Sequence, residues 1–142
     1  MDSGHWDISK VGEFDPADYF GFVYLVTNLK TGKKYIGKKS MWSTTSKQVW
    51  KVDRTKGKKT KKITKESYWR TYTTSSVYVN AELVAGETFS FQILSLHNSK
   101  GALAYSEVWH LVTMGALTER FADGSRAFYN AKTVSSCFTV LH

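Results

Sequence analysis

The hydrophobic pattern of the chain predicts three short β-strands. Residues 22–28 (FVYLVTN) form a β-branched and aromatic run of the kind found in strands. After the turn at 30–33 (KTGK), residues 34–39 (KYIGKK) return, and the pair predicts a β-hairpin. Residues 88–94 (TFSFQIL) alternate Phe and Ile with Ser and Gln, which indicates a third strand with one buried face.

Two other segments have the spacing and end signals of helices. Residues 77–86 (VYVNAELVAG) follow Ser75 and Ser76, either of which can cap a helix, and they end on a glycine. A longer helix is predicted from about 101 to 114 with Ser99 as its cap. The order β-β-α-β-α predicts an α/β or α+β domain. Its small three-stranded sheet, mixed or antiparallel, begins with the hairpin and is flanked by helices.

Length and composition are consistent with one domain over residues 1–142. The chain has 142 residues, of which 42% are hydrophobic, enough for one core. Residues 1–20 show no period and are expected to form an irregular N-terminal arm. Residues 51–65 (KVDRTKGKKTKKITK) carry eight positive charges and one negative, and are expected to form a mobile basic insertion loop.

The charge balance points to an acidic partner. Lys and Arg number 20 against 12 Asp and Glu, a formal charge of +8, so nucleic acid or an anionic membrane surface is considered first. No apolar run approaches the roughly 20 residues that span a bilayer, which disfavours membrane insertion. Cys137 is the only cysteine, which excludes an intrachain disulfide and a zinc finger, and a reducing, cytoplasmic compartment is expected.

The hairpin carries candidate chemistry. If Asn28 pairs with Lys33 across the turn, the period of two places four residues on one face: Tyr24, Tyr35, Gly37 and Lys39. The glycine is expected to leave room for a ligand backbone. Tyrosine is common in strands, so the hairpin pattern taken alone favours an ordinary surface hairpin.

Glu107 stands on an apolar stripe of the second predicted helix, with Leu103, Leu111 and Met114. A carboxylate in such a place is costly unless it is paired, protonated or bound to a metal. Two interpretations follow: a ligand for a hard cation such as Mg²⁺, or a carboxylate at the edge of the stripe that pairs with a lysine.

These residues together resemble the signature of the GIY-YIG nuclease superfamily. Phe22-Val23-Tyr24 is followed, after ten residues, by Tyr35-Ile36-Gly37, then by Glu107 on a later helix and by Tyr129-Asn130. The resemblance covers about residues 21–131. YIGKKS and SYWRTYTTSS look in particular like the compact GIY-YIG proteins of tailed bacteriophages, which are related to homing endonucleases.

The resemblance implies a metal-dependent DNA endonuclease that uses Mg²⁺ (or Mn²⁺). Glu107 would hold the metal against the scissile phosphate. Tyr24 would activate or orient the attacking water, Tyr35 would support that water, and a nearby cation would lower the pKa of Tyr24. Asn130 would organise the site or contact the phosphate.

The first motif departs from the family pattern by reading FVY instead of GIY. Family members usually carry an arginine on a helix about ten residues after the second motif tyrosine, where this chain has Thr45. Its role passes either to Arg70 or to Lys39. A histidine of some members corresponds to Thr74.

Basic residues around the insertion are expected to bind DNA: Lys38, Lys51, Arg54, Lys56, Lys58, Lys59, Lys61 and Lys62. If about six of these charges met phosphates, the affinity would fall with salt with a log–log slope of roughly −5. Aromatic residues flank the same stretch and either stack on bases or belong to the core: Trp42, Trp50, Tyr68 and Trp69.

Two other functions compete with cleavage. One is a catalytically inactive module that binds nucleic acid with the same hairpin and basic loop. The other is a basic structural or inhibitory protein whose acidic partner is a protein. A homodimer is possible, since one active site cuts one strand per encounter.

Overall fold

The computed structural model describes residues 2–48 and 60–131, with the main chain alone at 45–48 and 60–63. A 3₁₀-helix (Pro16–Asp18) precedes the first strand. The strands are β1 (Gly21–Asn28), β2 (Lys34–Ser40), β3 (Trp42–Gln48), β4 (Thr60–Glu66) and β5 (Phe89–His97). The helices are α1 (Val77–Val84), between β4 and β5, and α2 (Lys100–Thr113), after β5.

The main sheet has the order β2-β1-β5, and all neighbours are antiparallel. The expected α+β fold with a small three-stranded sheet is therefore confirmed, and the sheet is antiparallel. β1 lies in the centre, and its apolar run is explained by burial on both faces. Phe22 and Tyr24 belong to one hydrophobic cluster, whereas Val23 and Leu25 belong to the other.

Each face of the sheet is covered by different parts of the chain. On the Tyr24 face, the cluster includes Trp6 from the arm, Trp69 and Val79 of α1. On the opposite face, Leu103 and Leu111 of α2 complete the cluster. The two sides of the hairpin thus have different neighbours: the N-terminal arm and α1 lie on the Tyr24 side, and α2 with Ala127 and Phe128 lies on the other.

The register of the β1–β2 hairpin agrees with the prediction. Tyr24 pairs with Gly37 and Val26 with Tyr35, and the Asn28 amide donates to the Lys33 carbonyl at 2.9 Å. Alternation then places Tyr24 and Tyr35 on the same face, because they are separated by one pair along the ladder.

Both helices begin at predicted caps. The Ser76 hydroxyl accepts from the Val79 amide at 3.3 Å, and the Ser99 hydroxyl accepts from the Ala102 amide at 3.1 Å. Gly86, just after α1, has φ +95°, a conformation that glycine adopts without strain. Within the described ranges, neither helix combines the length and apolar character required to cross a bilayer.

The basic insertion differs from the prediction. Residues 60–65 were expected in a mobile loop, but they belong to β4, which pairs antiparallel with β3 in a separate two-stranded sheet. The loop prediction was wrong there because the strand sequences WSTTSKQ and TKKITKE carry no apolar alternation. Residues 51–59 of the predicted loop, and the tail from 132, lie outside the described residues.

The N-terminal arm is irregular, as expected, but it is part of the core. Trp6 is buried and donates from its indole nitrogen to the Trp69 carbonyl at 2.7 Å. Asp7 bridges to the outer edge of β5, with main-chain hydrogen bonds to Phe91 and Ile93 of 2.7 and 3.0 Å. The arm therefore covers a sheet edge that would otherwise be open to pairing with another chain.

Candidate active site

The two motif tyrosines lie together on the β1–β2 hairpin. Their ring centroids are 6.2 Å apart with an interplanar angle of 41°. Tyr24 is completely buried, whereas Tyr35 is half-buried and its hydroxyl lies at the surface. The pair therefore has an inner phenol and an outer phenol, and only the outer one is accessible to a ligand.

Gly37 is required by the inner phenol. A Cβ atom at this position would lie 2.4 Å from the Tyr24 hydroxyl oxygen and 2.5 Å from its Cζ. The expectation that Gly37 leaves room for a ligand backbone was wrong, because the ring of Tyr24 fills that space. Gly37 of the second motif thus leaves the space that the ring of Tyr24, from the first motif, occupies.

The Tyr24 hydroxyl is fixed by the segment before α1. It donates to the Thr74 hydroxyl at 3.3 Å and accepts from the Ser75 amide at 3.4 Å. Burial raises the pKa of Tyr24 well above its ordinary value, and the hydrogen bond to Thr74 opposes this effect only in part. The expected lowering of this pKa by nearby cations was wrong, so Tyr24 is a neutral phenol here.

Tyr35 joins the same segment at the surface, where its hydroxyl lies 3.0 Å from the Ser75 hydroxyl. Burial raises the pKa of Tyr35, the Ser75 contact lowers it, and the negative charge of Glu107 raises it further. Tyr35 is therefore also a neutral phenol that can donate one hydrogen bond and accept others. Glu107 acts on it from α2, which packs against β2.

Glu107 is half-buried on the face of α2 that packs on the sheet. Its stripe neighbours Leu103 and Leu111 are buried, which agrees with the predicted stripe. Burial raises the pKa of the Glu107 carboxyl, and the positive charge of Lys38 on β2 lowers it. The carboxylate is thus held in a partly apolar place with one ammonium group nearby, where a cation would stabilise its charged form.

Asn130 is buried and binds the main chain of β2. Its Oδ1 accepts from the Ile36 amide at 3.0 Å, and its Nδ2 donates to the Ile36 carbonyl at 2.8 Å. Of its two expected roles, these contacts match organisation of the site, because both polar ends of the side chain are used on Ile36. That residue lies between Tyr35 and Gly37, so Asn130 fixes the strand at the motif itself.

Comparison with known families agrees with this geometry. Residues 6–133 match the model of the family described as "Putative endonuclease segE, GIY-YIG domain". The chain belongs to this GIY-YIG family. The match extends over the arm, the hairpin, both helices and Asn130, so it includes the whole of the described site. Neither a curated protein nor a solved structure matches the chain in the corresponding searches.

The two candidates for the role of the family arginine in this GIY-YIG domain, Lys39 and Arg70, have different neighbours. The Lys39 ammonium lies over the ring of Tyr72, 4.5 Å from its centroid, and Tyr72 in turn packs edge-on against Tyr24 at 6.0 Å. The Arg70 guanidinium pairs with Glu66, donates to the Asp2 carbonyl at 2.7 Å and stacks on Trp69. The structure thus brings Lys39 beside the tyrosines but engages Arg70 elsewhere.

Thr45, the position of the family arginine, lies in β3 instead of on a helix. Of the expected DNA-binding residues, Lys38 is exposed on β2 beside Glu107, and Lys61 and Lys62 lie on β4. The other five lie outside the described residues: Lys51, Arg54, Lys56, Lys58 and Lys59.

Sequence reasoning missed two members of the site, Tyr72 and Ser75. Tyr72 separates Lys39 from Tyr24, and Ser75 contacts both motif tyrosines. Both belong to the run SYWRTYTTSS, whose density of hydroxyl-bearing side chains was the available signal. Thr74, noted only as the place of an absent histidine, is the hydrogen-bond partner of Tyr24.

The donor set of the site suits a weakly held magnesium ion. Among residues 2–48 and 60–131, no three His, Cys, Asp or Glu side chains cluster as a metal centre made by protein alone would require. Mg²⁺ is commonly held by one or two carboxylates together with water and substrate phosphate. Glu107 alone therefore fits the protein's share of such a site.

Proposed function

We propose that the chain is a metal-dependent DNA endonuclease that hydrolyses phosphodiester bonds at the surface between β2 and α2. The observation that supports this most is that charge effects link the half-buried carboxylate of Glu107 to the surface phenol of Tyr35 and to the ammonium group of Lys38. Lys39 lies on the tyrosine face of the same edge strand. The family match supports a nuclease. The likeness of its motifs to compact phage enzymes supports a bacteriophage origin.

The role proposed for each residue follows from how accessible its side chain is. Glu107 would hold Mg²⁺ or Mn²⁺, and the bound metal would supply Lewis-acid stabilisation of charge on the phosphate. Lys39, kept in place by the ring of Tyr72, would neutralise a phosphate oxygen. The Tyr35 hydroxyl, at the surface, would orient the attacking water through its own donor and acceptor positions.

Tyr24 would act indirectly in this arrangement. It is buried, and its hydroxyl is engaged with Thr74 and Ser75, so it sets the position of the Ser75 hydroxyl that Tyr35 meets. A phenol with a raised pKa is a poor general base at neutral pH. Orientation of the water by Tyr35, instead of its deprotonation by Tyr24, is therefore the role that the geometry favours.

Plasmid cleavage tests this proposal. Supercoiled plasmid is incubated at low salt with Mg²⁺ or with EDTA, and nicked and linear products are measured over time. We expect cleavage with metal alone and a rate at least about 100-fold lower for Glu107→Ala. Glu13→Gln, which removes the same charge from an exposed position in the arm, is the matched control and should cut normally.

The burial of Tyr24 and the strand position of Thr45 favour a second candidate, a module that binds DNA without cutting it. Gel-shift titrations of the same proteins decide between the two. Salt-sensitive binding without metal-dependent products in wild type would establish the binding module and refute the nuclease. Accumulation of linear product before extensive nicking would indicate a homodimer that supplies two active sites.

A further inference from the structure

A cleft of about 590 Å³ opens beside the site, between the base of the β3–β4 hairpin and the turn at 67–72. Lys39 and Tyr72 belong both to this cleft and to the candidate active site, so a ligand in the cleft would be next to the scissile phosphate. Most of its other walls are aromatic or hydroxyl-bearing, among them Trp42, Ser43, Thr44, Tyr68 and Thr71.

The walls of the cleft are held by hydrogen bonds. The Trp42 indole donates to the Tyr19 carbonyl at 3.0 Å, and Ser67 binds the main chain of Ser40 and Met41 at 2.7 and 2.8 Å. The Tyr72 amide donates to the Tyr68 carbonyl at 3.0 Å, which fixes the turn. The cleft is therefore a formed feature of the fold and does not depend on a ligand to shape it.

Within the described part of the chain, the Tyr68 side chain belongs to neither hydrophobic cluster. It is 82% exposed at the rim of the cleft, whereas its neighbour Trp69 is completely buried in the core. A large, exposed aromatic ring beside a polar cleft is typical of a surface on which a nucleobase stacks.

The positive charge along the cleft favours an anionic ligand. Lys39 and Lys65 both line it, while its one carboxylate, Glu66, is already paired with Arg70 and accepts from the Trp69 indole. Aromatic walls, hydroxyl groups and ammonium groups together match a nucleotide, with the base between the rings and its phosphate at Lys39.

We infer that the cleft holds one unpaired nucleotide of the DNA substrate, displaced from the helix next to the bond that is cut. This inference rests on the proposed action on DNA. A cleft of this volume admits a drug-sized ligand such as a nucleotide but not a base-paired duplex. The preferred substrate is therefore a duplex with an unpaired or easily unpaired nucleotide, such as a bulge or a mismatch.

The test is a comparison of DNA affinities in EDTA, measured by fluorescence anisotropy. One labelled duplex is fully paired, and the other has a single extra nucleotide in one strand. We expect wild type to bind the bulged duplex about tenfold or more tighter, and Tyr68→Ala to bring this ratio close to one without changing its affinity for the paired duplex. Tyr68→Phe should retain the preference, because its ring still stacks.

Tyr105→Ala is the matched control, since Tyr105 is also strongly exposed, at 74%, but lies on α2 outside the cleft. It should behave as wild type. This control matters because a bulge also makes DNA easier to bend, which would favour binding at any basic surface. Equal ratios in wild type and Tyr68→Ala, or no preference in wild type, would overturn the inference.

The outcome is independent of cleavage, because no metal is present. A preference that depends on Tyr68 in a protein that cuts no plasmid would support the cleft and refute the nuclease. Metal-dependent cleavage by a protein without that preference would support the nuclease and refute the cleft.

Discussion

The two hairpins of the molecule have the same pairing but opposite surroundings. β1–β2 and β3–β4 each form seven antiparallel residue pairs. The first is joined by β5, is covered on both faces and carries the two motif tyrosines. Among residues 2–48 and 60–131, the second pairs with no third strand, and its polar sequence includes the lysines of β4.

The difference suggests that the two hairpins of this basic domain suit different tasks: one holds side chains in fixed positions, and the other presents positive charge. A buried hairpin has its register pinned by the alternation of apolar side chains, so it can hold the reacting groups in fixed positions. For the polar β3–β4 hairpin, the side-chain contacts of the described residues lie at its base, where Trp42 binds the arm and Glu66 binds Arg70 and Trp69. Such an element suits contacts with the DNA backbone, which demand charge more than exact placement.

The largest effect is expected from Gly37→Ala in the first hairpin. Its Cβ would overlap Tyr24, and we expect the free energy of unfolding to fall by about 3 kcal/mol, with loss of cleavage. Urea denaturation measures the change. Gly101→Ala is the matched control, because its added Cβ meets nothing within 4 Å and alanine is a better helix former. Unchanged stability in Gly37→Ala would show that Tyr24 is not packed as described.

Asn130→Ala removes both hydrogen bonds to Ile36 and leaves two main-chain groups without these partners. We expect a loss of about 2–4 kcal/mol in the free energy of unfolding. Asn98→Ala, at an exposed position, should cost less than about 0.5 kcal/mol. Loss of cleavage with normal stability would instead indicate that Asn130 contacts the phosphate.

The second hairpin is tested through its lysines. One variant replaces three lysines of β4 with Gln: Lys61, Lys62 and Lys65. We expect its DNA affinity to fall and the log–log salt slope of binding to become shallower by up to about three. Its melting temperature should change little. A triple Gln variant at exposed basic positions elsewhere is the control: Lys10, Lys30 and Arg120. Equal slopes in the two variants would show that β4 makes no special contribution to DNA binding.

The smallest effect is a gain of stability from Glu107→Gln. Because burial raises the pKa of Glu107 above its unfolded value of 4.5, the charged carboxylate destabilises the metal-free fold. The side chain is partly exposed, so we expect a gain below about 1 kcal/mol, or roughly 2–4 °C at most. The gain should be absent below pH 4.5 and emerge as the pH rises through the folded pKa. A variant less stable than wild type at neutral pH would contradict this.

Local signals in the sequence predicted the elements that carry the site. The turn at 30–33 gave the right register, and Ser76 and Ser99 gave the helix starts. The same signals failed for β3 and β4, because strands without an apolar face have no period to detect. They also failed for the accessibility of Tyr24, because its burial depends on Trp6 and Trp69, which come from distant parts of the chain.

By itself, the sequence determined which residues form the first hairpin and which face its tyrosines share, since both follow from a period of two and a short turn. It also determined that Glu107 lies on the buried stripe of a helix. Only the tertiary structure decided that Tyr24 is the inner phenol and Tyr35 the outer one. It also decided that Asn130 fixes Ile36 and that Lys39, not Arg70, lies beside the tyrosines. These facts depend on contacts between residues far apart in the chain, which no local pattern records.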